Sequence, residues 1–414
     1  MKCLYKEKKL DLLALSSVPL VMTLGNSMLI PVLPQLASQL NISAFHVSLI
    51  ITVYSIVAIL LIPVAGYLSD RFGRKNVLVP CLIIAGIGGA ISAFASWKLD
   101  DPFNMIIVGR ILQGIGSAGS FPIVLPLVGD MFKKDTDVSA ALGLTETSNT
   151  AGKVLSPIVG ALLASFLWYL PFVFIPIFCL ISVLLVLFLV KTPKKQMEEK
   201  PSFREFFAGV KSTYRKNNKW LNSIFIVGCL IMFVLFGILF YLSDILEKDY
   251  NIDGVYKGAL LAIPLLALSL CSYVAGKKIG QNKNAMKIIT VIGMALLAGS
   301  FVLLRFQHSF IFLLSLLVFS GIGIGIALPC LDALITAGIE KEERGTITSL
   351  YSSMRFVGVA SGPPIYAYIM SVSEHLVYYV SGAASILALL IVMLFIKPEK
   401  EKKTNQVKRV PRLV

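Results

Sequence analysis

Charge is in short supply in this sequence. Of its 414 residues, 15% are Asp, Glu, Lys or Arg, where a soluble domain carries about 25%. A chain so poor in charge is expected to have lipid as its main solvent. Histidine is scarcer: His46, His308 and His375 lie scattered near predicted loops, and no two are spaced to hold a metal. The six cysteines (Cys3, Cys81, Cys179, Cys229, Cys271 and Cys330) fall mostly inside apolar runs, and none pair at metal-ligand spacing. They read as small apolar thiols, which argues against a disulfide or zinc framework.

Other devices are missing too. The tract Gly321-Ile-Gly-Ile-Gly325 has glycines but lacks the Lys-Ser/Thr of a phosphate cradle. An ATP-driven pump is therefore not expected; coupling should use an ion gradient, with no cofactor. The first apolar run, Leu12–Leu36, is too long for a cleavable signal, is interrupted by proline and has no small-residue cleavage site behind it. It is expected to stay as a membrane helix. No loop exceeds about thirty residues, and no nucleophile–base pair or metal cluster stands out. An enzyme or a receptor with a sizeable extramembrane domain is not expected.

What the chain has is apolar length. It is 56% hydrophobic, with a mean hydropathy of +0.81. Runs able to cross a hydrocarbon core of ~30 Å cover Leu12–Leu36, Val47–Leu68, Val77–Trp97, Met105–Gly129, Ser139–Leu167 and Tyr169–Val190. Six more cover Leu221–Leu242, Gly258–Ala275, Ile288–Leu304, Phe310–Ala333, Thr346–Met370 and Leu376–Ile396. The fold class expected is an all-α polytopic membrane protein of twelve helices in two pseudo-symmetric halves. The halves are residues 1–190 and 221–396, joined by a linker at 191–220 and followed by a basic tail at 397–414. In the linker Phe203, Phe206, Phe207, Val210 and Tyr214 recur at helical spacing with Arg204, Lys211 and Arg215 between them. It is either an amphipathic helix on the membrane surface or a basic solvated connection.

Basic residues set the orientation. With the N-terminus in the cytosol, 31 of the 38 Lys and Arg residues fall in cytoplasmic segments, 4 in external loops and 3 inside spans. Both termini are expected inside, in a bacterial inner membrane. The net charge of +15 then faces the anionic inner leaflet and needs no nucleic acid. The expected partners are a small-molecule substrate and the bilayer, with the protein a monomer.

The halves echo one another. Gly114, Gly116 and Pro122 recur as Gly321, Gly323 and Pro329, an offset of 207; Gly152 and Pro157 recur as Gly358 and Pro363, an offset of 206. Repeated halves with a site between them are the usual build of a secondary transporter.

The loop after the second span reads Gly66-Tyr-Leu-Ser-Asp70-Arg71-Phe-Gly73-Arg74-Lys75. It resembles the signature loop of the major facilitator superfamily. Leu24-Gly25 followed by Pro31-Val32-Leu33-Pro34 is similar to the first-helix pattern of twelve-helix drug:proton antiporters. Arg110, Gln113, Gly114 and Gly116 resemble the intramembrane arginine motif of proton-coupled members. Gly152, Ser156-Pro157 and Gly160-Ala161 resemble the antiporter motif, with Ser156 and Ala161 in place of glycines. The resemblance implies a latch: Asp70 facing the start of the eleventh helix near Gly345–Thr346, where the helix dipole favours a carboxylate, and an arginine pairing with Asp130. The bland alternative is that Asp70–Lys75 only anchors topology. Gly152, Ser156 and Gly160, four residues apart, form a small-residue stripe read as helix packing.

Charge inside a membrane costs ~2.5–3.5 kcal/mol on insertion scales and usually faces the bundle interior. Four such residues stand out: Arg110, Glu146, Lys153 and Arg355. Glu146, Asn149, Thr150, Lys153 and Pro157 share one stripe of the fifth span; Arg110, Gln113 and Ser117 share one of the fourth. Glu146 reads as the only carboxylate well inside a span. It is either the proton-coupling group, with Arg110 beside it, or a static counter-ion for Arg110 or Lys153. Asp332 is second for that role and Asp244 third. Asn26 occupies the first-helix position where related exporters often carry an acid.

Asn26, Arg110, Gln113, Asn149, Lys153 and Arg355 are the candidate substrate contacts. Three cations against one deep acid favour an anionic or hydroxyl-rich solute, unless Glu146 neutralises Lys153. The expected function is proton-coupled efflux of small organic molecules, of multidrug type. The sharper alternative is export of an anionic metabolite or a catechol siderophore; uptake by proton symport is a third reading.

Overall fold

A backbone in lipid has no water to bond, so each long apolar run must satisfy its own N–H and C=O groups as a helix. The computed structural model describes residues 8–131, 135–191, 218–278, 282–306, 309–339 and 344–396. Twelve membrane-length rods account for nearly all of them. In the first half they are α1 (Lys9–Gln39, broken by a 3-10 turn at Ile30–Val32), α2 (Ala44–Phe72), α3 (Arg74–Lys98), α4 (Phe103–Met131, broken after Ala118), α5 (Asp135–Phe166) and α6 (Leu170–Leu189). In the second they are α7 (Asn218–Lys248), α8 (Gly254–Lys278), α9 (Lys283–Leu303), α10 (Phe310–Gly338), α11 (Arg344–Val372) and α12 (His375–Phe395).

Local chemistry sets several ends. Ser43 and Ser309 accept the backbone N–H groups of His46 and Phe312, and Asn282 accepts those of Asn284 and Ala285. Each satisfies an otherwise orphaned first-turn donor. Gly73 separates α2 from α3 at φ +98°, a conformation a side chain would strain.

Ten of the rods are long and apolar enough to cross a membrane; α5 and α11 fall short on composition. These two carry Glu146, Lys153 and Arg355; Lys153 and Arg355 turn towards the seam between the halves, and Glu146 is exposed. The helices also outrun the apolar stretches. The end of α7 extends to Lys248 and the start of α8 lies at Gly254, so Asp244 and Lys257, which hydropathy leaves in a loop, are helical. The linker's aromatic stripe, the basic tail and His308 lie outside the described residues.

Contacts repeat with two-fold symmetry. In the first half α1 packs on α5 and α6, α4 on α2 and α3, and α3 on α6; in the second α7 packs on α11 and α12, α10 on α8 and α9, and α9 on α12. Between halves α2 lies along α11, and α8 along α5. The repeated glycines explain the match. A Cβ on Gly114 would meet the Tyr54 carbonyl of α2 at 2.6 Å, and one on Gly321 would collide with the Pro264 carbonyl of α8. In lipid, close backbone approach replaces the hydrophobic effect as the force between helices.

Candidate functional site

A cavity of about 130 Å³ sits on the seam between the halves. Helices α1, α2, α4 and α5 line it on one side, and α7, α8 and α11 on the other. Its polar groups include Thr23, Asn26, Asn149, Lys153, Ser352 and Arg355; its apolar wall includes Met22, Met232, Phe236 and Phe356. Asn149 and Arg355 stand 206 positions apart, the same offset as Gly152 and Gly358, so they are counterparts across the two-fold axis.

No carboxylate lines this cavity among the described residues. Lys153 has no carboxylate within ion-pair distance among them, while Arg355 lies 3.7 Å from Asp332 on α10. Glu146 lies two turns along α5 from Lys153 towards the basic loops, outside the lining, and is exposed. The Asn149 amide donates to Glu146 Oε1 at 3.0 Å, and Thr23 Oγ1 donates to Asn149 Oδ1 at 2.6 Å. This chain ties α5 to α1. Glu146 is therefore not the buried acid that hydropathy suggests; among the described residues Asp11, at 7% exposure, and Asp244, at 5% and paired with Lys248 at 2.9 Å, are buried.

Arg110 and Gln113 are expected at the cargo surface, but the structure buries both behind it. Arg110 is fully buried. Its Nε donates to the Ile50 carbonyl at 2.7 Å, and its two terminal nitrogens donate to Gln113 and Asn26. Its guanidinium carbon lies 4.5 Å from the Tyr54 ring centroid. A planar fork with several donors can be satisfied this way by α1, α2 and α4 at once. The Tyr54 hydroxyl donates to Ser117 Oγ at 2.5 Å, and of this network Asn26, Tyr54 and Ser117 reach the cavity.

At the basic loop Arg74 bridges two acids, Asp130 at 3.2 Å and Asp70 at 3.7 Å. Arg71 Nη1 donates to the Tyr67 hydroxyl at 2.8 Å. Lys75 donates to the Leu187 and Val190 carbonyls at 3.0 and 2.7 Å, capping the end of α6 where the dipole is negative. The Asp70 carboxylate is exposed and lies 3.7 Å from Arg74; the side chains at the start of α11 near Gly345–Thr346, which the resemblance sets opposite it, lie outside the described residues. Gly66 faces α11: a Cβ there would lie 3.9 Å from Ser349 Oγ. On α5, a Cβ on Gly152 would come within 3.1 Å of the Leu20 carbonyl. One on Gly160 would collide with Met28, and Ser156 is buried beside Pro157. This stripe seats α5 on α1.

The chain matches the Major Facilitator Superfamily over residues 15–363 and again over 286–413. It belongs to that superfamily. A bacillibactin exporter of Bacillus subtilis (strain 168) is 59% identical over 96% of this chain and 100% of its own length. The class D tetracycline resistance protein of Salmonella ordonez is 26% identical over 92% of this chain and 96% of its own. Among solved structures, the human organic anion transporter MFSD10 (TETRAN) aligns over 93% of this chain and 99% of its own, with a TM-score of 0.70 at 16% identity. A D-xylose-proton symporter aligns over 94% and 98%, at 0.71 and 15%. These two likenesses show the fold. The chain is thus a polytopic membrane transporter.

The sequence reading missed Lys257. It is 3% exposed and meets Glu247 at 2.6 Å. Both sit just past the hydropathy edges of α7 and α8, where a lysine looks like a loop residue. The signal that could have found them is helical continuation beyond the apolar run.

Proposed function

We propose that this transporter exports an anionic, hydroxyl-rich small molecule of the siderophore type, with its basic face to the cytosol and a proton gradient as energy source. One observation carries the reading: the central cavity takes a cation from each half, Lys153 and Arg355, and no carboxylate among its described lining. A cationic drug entering there would leave water and meet two like charges. An anion would gain both in a medium where charge interactions are several-fold stronger than in water. Tyr54, Phe236 and Phe356 offer rings to an aromatic cargo, and Asn26, Asn149 and Ser352 offer hydrogen bonds to hydroxyls.

The bacillibactin exporter at 59% identity supports the same class of cargo. Tetracycline and multidrug resistance relatives stand at 26% and 22%. Broad multidrug export, the leading expectation from the sequence, therefore yields to the siderophore alternative. Two acids flank the cavity for proton coupling: Asp332, which shares Arg355 with the cargo, and Glu146, bonded through Asn149 to the lining.

The test is transport into everted membrane vesicles with an acidified lumen. They should concentrate bacillibactin, and Lys153→Met should abolish the uptake. Vesicles that concentrate tetracycline while excluding bacillibactin would overturn the assignment.

A further inference from the structure

A second pocket, of about 300 Å³, lies on the same seam nearer the face opposite the basic loops. The two chambers are consecutive along the same helices. On α5, Lys153, Ser156 and Pro157 line the central cavity, while Ala161, Ala164 and Ser165 line the second pocket. On α8, Leu261 and Leu265 face the first, while Gly254 and Lys257 face the second. On α1, Ile30 faces the first, while Pro31 and Gln35 face the second. Between them the chain is pinched shut. A Cβ on Gly258 would meet Ala161 Cβ at 2.8 Å and Ile158 Cα at 3.0 Å, and would collide with the Pro157 carbonyl. Glycine at this one position lets the α8 backbone close on α5.

The wall of the outer pocket is built around a charge. The Lys257 side chain is 4% exposed and holds Glu247 at 2.6 Å; Asp253 lines the same space. A buried ammonium must keep an anion beside it, because breaking the pair strands an uncompensated charge. The pair lies within the second half, so it persists when α5 and α8 part, and an anion reaching the pocket competes for the ammonium with Glu247 and with Asp253 beside it. The central cavity delivers such an anion directly through the pinch.

We propose that the outer pocket is an exit subsite for the anionic cargo, in which Lys257 receives the anion and Glu247 competes it off towards the exterior. This rests on the reading of the cargo as an anion. The subsite makes release an exchange of one anion for another on a single lysine. It also disfavours re-entry, because Glu247 re-forms its pair once the cargo has left.

The experiment uses the full-length protein in proteoliposomes oriented with the face opposite the basic loops outward. Bacillibactin is loaded inside, and its efflux is inhibited by bacillibactin added outside. Glu247→Gln should lower the external inhibition constant about tenfold, and Lys257→Gln should raise it about tenfold, the scale of one charge-assisted hydrogen bond. Affinity measured from the basic face should stay within about twofold in both. A mere staple between α7 and α8 predicts otherwise: both variants would melt earlier with unchanged external inhibition. The charge-swapped protein Glu247→Lys/Lys257→Glu would then recover wild-type stability and wild-type efflux. Either result overturns the subsite. If wild-type protein shows no bacillibactin efflux at all, the anionic-cargo reading fails first, and the subsite with it.

Discussion

Two cations inside the helix bundle look alike in the sequence and do different work. Lys153 lines the cavity with no carboxylate at ion-pair distance among the described residues, whereas Arg110 is sealed behind the lining and bonded to Ile50, Gln113 and Asn26. Lys153→Met should leave the melting temperature unchanged and weaken bacillibactin binding at least about tenfold, the value of a charge-assisted contact. Arg110→Met should do the reverse. It strands Asn26 and Gln113 in the interior at ~1–3 kcal/mol each and should cost several degrees of melting temperature, with affinity in the folded fraction nearly retained. Thermal unfolding in detergent, paired with equilibrium binding, separates the two; equal losses of affinity would put Arg110 back in the cargo site. Asp332→Asn frees Arg355 from its carboxylate and should tighten anion binding, measured by the same titration. Glu146→Gln retaining full proton-driven transport would remove Glu146 from coupling and leave Asp332. Charges inside apolar runs are legible because each is costly there, which is why Lys153 and Arg355 stand out. What each one bonds is not legible. Of the partners of Arg110, Gln113 shares its stripe, but Ile50 and Asn26 lie 60 and 84 positions away, and Glu247 and Lys257 sit outside the apolar runs of their spans.

At the scale of the helix, small residues decide which pairs touch. Gly114 and Gly321 occupy the same place in the two halves, each against a carbonyl of the neighbouring helix. A side chain in either place must push two backbones apart, and overpacking of this kind costs ~1–3 kcal/mol. Gly114→Val and Gly321→Val should therefore lower stability by similar amounts, read as a parallel drop in melting temperature and membrane yield. A loss confined to one half would mean that the repeat is a relic of sequence and not of packing. The glycine and proline repeat was visible at offsets of 206 and 207 because close approach leaves a residue-type signature. Helix ends were less legible. Apolar runs report only the stretch that meets lipid, while α7 and α8 continue into the interface on polar residues that pair with one another.

For the molecule as a whole, twelve rods and a two-fold repeat were readable because lipid permits few alternatives to the helix. The seam between halves was not readable, since its contacts join residues hundreds of positions apart. They are concrete in the structure. Thr52 Oγ1 donates to the Ala360 carbonyl at 2.8 Å, Ser243 Oγ to the Ile30 carbonyl at 3.3 Å, and Gly258 packs on Pro157. The last two close the seam on the side away from the basic loops. A transporter that opens alternately must break them in every cycle, so a covalent bond across them should stop transport without emptying the site. Ser165 and Gly254 offer the place: a Cβ on Gly254 would stand 3.9 Å from that of Ser165, inside the ~3.5–4.5 Å span of a disulfide. Gly254 sits at φ +53°, so a cysteine there carries backbone strain of order 1–3 kcal/mol. Ser165→Cys/Gly254→Cys should fold when oxidised, bind bacillibactin from the basic face and export none; a reductant should restore export. Transport that survives oxidation would mean that α5 and α8 do not part, and that the cargo leaves by some path other than the seam.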